Sequence, residues 1–214
     1  MMLVLKDPQP GSTELSYVRK ALEGGQLVIV PTDTVYGIAA RADDAEAVAR
    51  LYAAKGRPVD QPTAVIYGST KELHDALPEL GRRATWAVSA LLPGPWTLIV
   101  DNPAGHLPWL TGGAPGPLGV RVPGGALDLP PIAASSANRA GEPTISRVQE
   151  IDGELGAHVA CAIDRGELGT RGASASTVLD LTAWERGEGD VVVVRDDAGR
   201  APQAMVVLRD APEA

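Results

Sequence analysis

Leu27-Val28-Ile29-Val30-Pro31-Thr32-Asp33-Thr34-Val35-Tyr36-Gly37 decides how this chain folds. Four consecutive apolar residues, three of them β-branched, predict a short strand covered on both faces, because a strand with one wet face alternates instead. Residues 31–34 then predict a turn: Pro presets the backbone angle, and Asp and Thr side chains satisfy nearby backbone groups. Residues 35–40 read as a second strand. A hydroxyl-rich turn at the end of a buried strand lies where open α/β sheets bind ligands, so the stretch nominates a site as well as a sheet.

Upstream, Leu15, Val18 and Leu22 recur at helical spacing after the candidate caps Ser12 and Thr13, and Gly24-Gly25 closes the pattern, predicting a helix over Thr13–Glu23. Downstream, Asp43 or Asp44 caps a second helix with Ala45, Val48, Leu51 and Tyr52 as its inward stripe, ended by Gly56 and Pro58. Lys55 falls on its last turn and Arg57 just beyond, which predicts two loop cations without a core role that can converge on one ligand. Leu73/Leu77 and Ala84/Val88/Leu91 predict two more helices, and Pro93-Gly94-Pro95 breaks the chain before a strand at 97–100. Residues 102–117 read as a loop dense in Pro and Gly, a candidate lid. Strands are expected at 118–122, at 132–134 leading into Ser135-Ser136-Ala137-Asn138, and at 158–163, 177–181, 191–194 and 204–208. Val148, Ile151 and Leu155 mark one further helix, and the tail at 211–214 reads as disordered. No linker divides two cores, so residues 1–214 are expected to form one α/β domain with a large mixed sheet.

Composition removes several function classes. Phe is absent and the net charge is −8, so neither a stacking platform nor a broad cationic surface for nucleic acid is expected, and at most weak RNA binding. Cys161 stands alone in the sequence and reads as an inert core thiol. The N-terminus lacks the pattern of a signal peptide, and no apolar run approaches the ~20 residues that cross a bilayer; a cytoplasmic protein without membrane contact is expected. His74, His106 and His158 are scattered without ligand spacing, so no metal site is expected.

Taken singly, the three polar segments have plain explanations: a turn at 31–34, cations at a helix end for Lys55 and Arg57, and a helix cap at 135–138. Taken in order they resemble a family. Pro31 to Gly37, Lys55-Gly56-Arg57-Pro58, Pro93-Gly94-Pro95 with Thr97, Gly119-Val120-Arg121-Val122-Pro123, Ser136-Ala137-Asn138 with Gly141, and Ser176-Thr177-Val178 with Asp180-Leu181 are similar to the Sua5/YrdC/YciO family. The resemblance spans about residues 18–195.

The resemblance implies a YrdC-like fold, a twisted mixed sheet with flanking helices and a large cavity on one face. It implies a nucleotidyltransferase, L-threonylcarbamoyladenylate synthase, that forms threonylcarbamoyl-AMP and pyrophosphate from L-threonine, bicarbonate and ATP, with Mg²⁺. The product would feed t6A modification of tRNA by a downstream transferase machinery. Lys55, Arg57, Ser136, Asn138 and Arg195 would bind ATP, with Lys55 and Arg57 catalytic. Thr34, Arg121 and Ser176 would bind threonine, Arg121 through two parallel hydrogen bonds to its carboxylate. The YciO branch typically lacks the Lys-x-Arg and Ser-x-Asn pairs. Transfer at phosphorus needs positioning and charge neutralisation more than a strong base, which suits motifs rich in Lys, Arg, Ser, Thr and Asn.

This chain also departs from the family. Gln61 to Ile66 replaces the usual Asn-Pro-Leu and nearby His, which places Thr63 and Ile66 at a threonine-contacting position. Asp197 adds a carboxylate near the expected nucleotide edge. The C-terminal domain of longer Sua5 proteins is not seen in this sequence. Two other readings stand beside the first: a paralogue using carbamoyl-adenylate chemistry on another acceptor, and a noncatalytic RNA-binding or regulatory module.

Overall fold

The computed structural model describes residues 2–125, 128–169 and 174–213. Among these, ten strands form one sheet: β1 (Leu3–Lys6), β2 (Leu27–Pro31), β3 (Tyr36–Arg41), β4 (Val65–Ile66), β5 (Trp96–Val100), β6 (Leu118–Arg121), β7 (Ile132–Ser136), β8 (Val159–Asp164), β9 (Thr177–Asp180) and β10 (Val192–Arg195). Their spatial order is β1-β8-β2-β3-β7-β4-β6-β5-β9-β10. The sheet is mixed: β2 runs parallel to β8 and antiparallel to β3, and β4 runs parallel to β6 and antiparallel to β7.

Among the described residues seven α-helices flank it: α1 (Thr13–Glu23), α2 (Ala45–Lys55), α3 (Thr70–Ala76), α4 (Arg82–Leu91), α5 (Gly153–Ala157), α6 (Thr182–Glu185) and α7 (Ala201–Leu208). α1 starts where Ser12 Oγ accepts the Leu15 N–H at 3.1 Å, and Asp44 caps α2 by accepting the Ala47 N–H at 2.9 Å. Alternation along the strands then sorts the two faces. Ile29, Ile38, Val65, Leu98, Val120 and Leu179 point into one core with α2, α3, α4 and α7. On the other face α1 covers one end of the sheet, packing Leu15, Val18 and Leu22 against Val28, Ala39, Cys161 and Ile163. Cys161 is fully buried, and burial pushes its thiol up to about 11, so it is a packing residue.

Four expectations are corrected here. Residues 204–208 are helix, not strand: Ala201, Ala204 and Leu208 face the core at helical spacing, and Asp196 accepts the Arg200 and Ala201 N–H groups at the helix start. Residues 148–155 are a 3-10 turn at Val148–Glu150 followed by α5, because Asp152 accepts the Glu154 and Leu155 N–H groups and so begins a new helix. The inward stripe of α2 is Ala47, Val48, Leu51, Tyr52 and Lys55, while Ala45 is exposed. The tail is held at Pro212, whose carbonyl accepts Arg83 Nε at 3.0 Å; Ala214 lies outside the described residues.

Gly56 ends α2 in the left-handed region at φ 62°, and this reversal lets Arg57 fold back toward the sheet. A Cβ there would meet nothing within 4 Å, so Gly56→Ala adds backbone strain alone, about 1–2 kcal/mol. Urea unfolding is expected to show a lower midpoint with an unchanged m value.

Candidate active site

Beyond α1, no helix among the described residues packs on the second face over β7, β4, β6, β5 and β9, and small residues share its floor with Ile66, Thr97, Ile99 and Val178. Gly37, Ala64, Gly119 and Ala134 take the positions where larger side chains would fill the space. Backbone closeness enforces part of this, since a Cβ at Gly119 would lie 3.2 Å from the Ala64 Cβ and one at Gly37 would lie 3.3 Å from the Ser135 carbonyl oxygen. The result is a cavity of about 400 Å³, within the size range of small-molecule sites.

Polar groups ring this floor. Arg57, Arg121 and Arg195 line it, together with Ser135, Ser136 and Ser176. Arg57 reaches Ser135 Oγ at 3.5 Å and donates to the Pro62 carbonyl, with its guanidinium 5.7 Å from the Tyr52 ring centre. Lys55 is the last residue of α2 and is buried, not a loop cation; it belongs to the inward stripe, and its Nζ donates to the Ser136 carbonyl. Lys55 and Arg57 thus grip consecutive residues of β7. On the opposite side Arg195 donates to the Ser176 carbonyl at 3.1 and 2.8 Å, and Ser176 Oγ lies 2.8 Å from Thr97 Oγ1.

Arg121 occupies the centre. Its Nη2 donates to Asp33 and to Thr34 Oγ1, the latter at 2.9 Å, so the guanidinium fork expected to be free already has one nitrogen committed. Thr34 touches the cavity through that contact, while Thr32 and Val35 line it directly. Asn138 is not among the lining residues: its Nδ2 donates to the Arg139 and Glu142 carbonyls at 2.9 and 2.6 Å. Thr63 and Ile66 do line the cavity. Asp197 is exposed and outside the wall, and the neighbouring carboxylate, Asp196, is occupied by Thr177 Oγ1 and the start of α7. Residues 102–117 contribute Thr111 and Pro117 to the wall; Asn102 Nδ2 ties the loop base to the His106 and Gly116 carbonyls.

Three cavity-lining residues carry a buried polar atom without a partner among the described residues: Arg57 Nε, Thr63 Oγ1 and Arg121 Nε. Each costs about 1–3 kcal/mol unless a ligand or water satisfies it. The sequence alone gives Asp33, Thr97 and Ser135 no individual role, since each fits ordinary turn or strand chemistry.

Burial, and then the charge of Arg57, pushes the Lys55 ammonium down to about 8. Burial likewise pushes Arg57 and Arg121 down, Arg195 adds to both, and Asp33 opposes the shift at Arg121. The cavity is therefore cationic inside an acidic chain. Among the described residues no group of three or more His, Cys, Asp and Glu could hold a metal ion, and no helix is long and apolar enough to cross a membrane.

A family model for Sua5/YciO/YrdC proteins, described as telomere recombination, matches residues 20–196. The chain belongs to this family. A Mycobacterium leprae protein provisionally named threonylcarbamoyl-AMP synthase is 37% identical over 182 residues, covering 82% of this chain and 81% of its own. The Pyrococcus abyssi threonylcarbamoyl-AMP synthase is 36% identical over 167 residues, 75% of this chain and 48% of its own. A structure of P. abyssi Sua5 complexed with L-threonine superposes with a TM-score of 0.73 at 30% identity, over 91% of this chain; the chain spans 57% of that protein's length. Escherichia coli YciO shares the fold, with a TM-score of 0.73 at 22% identity.

The depressed Lys55 gives a pH test. In the free site its charge is complete well below pH 8 and lost as pH rises through that value, whereas a bound polyphosphate favours the charged form. ATP affinity is expected to fall as pH rises above about 8, by at most about tenfold per unit, with proton uptake on binding. Calorimetry in buffers of different ionisation enthalpy measures that uptake, and Lys55→Met should abolish it.

Proposed function

We propose that this chain is a threonylcarbamoyl-AMP synthase, forming threonylcarbamoyl-AMP and pyrophosphate from L-threonine, bicarbonate and ATP, and so serving t6A modification of tRNA. The observation that carries the reading is the convergence of Arg57, Arg121 and Arg195 on one uncovered half of the sheet, with Lys55 behind Ser136, in a chain of net charge −8. Such a site suits a polyanion together with a carboxylate.

The amine of threonine joins bicarbonate carbon with loss of water, giving a carbamate. A carbamate oxygen attacks the α-phosphorus of ATP in line, and the bond to the β-phosphate oxygen breaks to release pyrophosphate. The attacking group is already anionic, so the protein's part is to align the reactants and offset charge. In our reading Arg57 and Arg195 meet the phosphates from the cavity wall, Lys55, which does not line the cavity, adds its charge from behind Ser136, Ser136 and Asn138 hold the nucleotide, and Arg121, Thr34 and Ser176 hold threonine. For Asn138 this requires its amide, or its unpartnered Oδ1, to face the nucleotide at the cavity rim. Mg²⁺ finds no cluster of protein ligands among the described residues, and Asp33 is engaged by Arg121 and Gly124; the ion would arrive with the phosphates of ATP as part of the substrate. Lack of a membrane-crossing helix among the described residues supports a water-exposed setting, and we place the protein in the cytoplasm, upstream of the enzyme that transfers the threonylcarbamoyl group.

Pyrophosphate release with each substrate omitted in turn tests the assignment. It should require ATP, threonine and bicarbonate together; equal release without threonine, or preference for an amine lacking a carboxylate, favours other carbamoyl-adenylate chemistry. Serine should react less efficiently, because one methyl in an apolar corner is worth only about 1–3 kcal/mol.

Arg57→Ala is expected to lower kcat/KM for ATP by about 2–4 kcal/mol of transition-state stabilisation, the loss of one electrostatic stabiliser. Circular dichroism should show an intact fold, and unchanged turnover would remove Arg57 from the phosphate site.

A further inference from the structure

Asp33 lies in the turn between β2 and β3, and no step of the proposed reaction uses it. Its side chain is 16% exposed and that of Arg121 8%. One carboxylate oxygen accepts Arg121 Nη2, and the other accepts the Gly124 N–H at 2.9 Å, in the segment that leaves β6. Thr34 Oγ1, one residue along, accepts the same Nη2 at 2.9 Å and lies 3.0 Å from Thr32 Oγ1. Thr32 Oγ1 in turn donates to the Val35 carbonyl at 2.6 Å and accepts the Thr34 and Val35 N–H groups, which stiffens the turn. The guanidinium is thus pinned by one corner from a rigid loop that folds over the sheet. Nη1 has no hydrogen-bond partner among the described residues, and Nε is buried without one.

Asp33 is absent from the cavity wall, whereas Arg121 is part of it. The carboxylate therefore stands behind the arginine rather than beside the substrate. It also opposes the cost of burying that cation, since burial pushes Arg121 down and Asp33 pushes it back up. A buried arginine that loses its partner is left uncompensated and free to reorient.

We infer that Asp33 is a positioning residue for the amino-acid half of the site: by taking Nη2, it turns the Nη1 side of Arg121 to the cavity as the donor for the substrate carboxylate. This deepens the threonine reading above and rests on it. Threonine is then held by part of the guanidinium and neighbouring hydroxyls, not by a wholly free fork. Asp33 sets the affinity for threonine and leaves the phosphate groups of ATP to Lys55, Arg57 and Arg195.

The test is steady-state pyrophosphate release by Asp33→Asn, alone and in an Arg121→Ala background, with threonine and ATP varied separately. Asparagine is nearly isosteric and keeps an acceptor for the Gly124 N–H. In the wild-type background the threonine KM should rise about tenfold, with ATP KM within about twofold and kcat within about threefold. In the Arg121→Ala background the same substitution should change the threonine KM by less than about twofold, because the residue it acts through is gone. An unchanged threonine KM, an equal rise in both backgrounds, or a parallel rise in ATP KM overturns the inference. Should Asp33→Asn not fold, Asp33→Glu, with its carboxylate displaced by one methylene, takes its place: a threonine KM raised at least about threefold supports positioning and a wild-type KM overturns it. If the wild-type protein itself needs no threonine, the functional reading fails, and this inference with it; threonine dependence with an unresponsive Asp33 sinks the inference alone.

Discussion

The structure depends on an imbalance between the two faces of its sheet. One face packs against α2, α3, α4, α5 and α7, with Trp184 of α6 beside them, and closes into a dry core around Ile38, Val65, Val120 and Leu179. The other has α1 alone, and that helix reaches only the end formed by β1, β8, β2 and β3. A sheet left half bare would expose apolar surface, and the chain limits it by placing Gly37, Ala64, Gly119 and Ala134 among the larger Ile66, Ile99 and Val178. The cavity is what remains where packing has been withheld. Its floor is rigid because it belongs to the same strands whose other side is the main core, so groups mounted on its rim keep their separations.

Charge follows from that geometry. Arginines that would repel one another and be costly to bury are mounted around the hollow, each held by carbonyls or hydroxyls rather than by its own acid: Arg57 by Ser135 and Pro62, Arg195 by Ser176. Arg121 differs in having Asp33. A cation held by neutral acceptors retains its attraction for an anion, whereas one paired to a carboxylate is largely neutralised at a distance. The edges of the cavity at Arg57 and Arg195 are therefore strongly positive, and the part at Arg121 is closer to balance. That division fits one ligand that is a polyanion and another that carries a single carboxylate.

The sequence was legible wherever local chemistry decides structure. Caps at Ser12 and Asp44, glycine stops at Gly25 and Gly56, and the apolar run at 27–30 marked α1, α2 and β2 because each signal acts within a few residues. It failed where tertiary packing decides. Ala45 and Ala47 fit the same helical spacing, and only the surface beneath α2 selects Ala47. Lys55 reads from the sequence as a loop cation without a core role, yet the Ser136 carbonyl draws it inside. Met205-Val206-Val207 reads as strand by propensity, and packing of Ala201, Ala204 and Leu208 overrides it. β1 carries too few residues for a pattern and exists by pairing with β8. The motifs named most of the candidate site, since Arg57, Ser136, Arg121, Ser176 and Arg195 do converge. They did not reveal that Asp33 and Arg121, 88 residues apart, are partners, because no local spacing encodes a contact between a turn and the end of a distant strand.

The central claim is that one cavity, on the bare half of the sheet, holds a nucleotide and an amino acid side by side. Inter-ligand nuclear Overhauser effects test this most directly, with ATP and threonine both present at saturating concentration and bicarbonate withheld so that no reaction proceeds. The account predicts a protein-dependent cross-peak between the threonine methyl protons and the ribose 5′ protons of ATP, lost in Arg121→Ala. Saturation by both ligands with no such cross-peak would place them in separate sites and contradict the account.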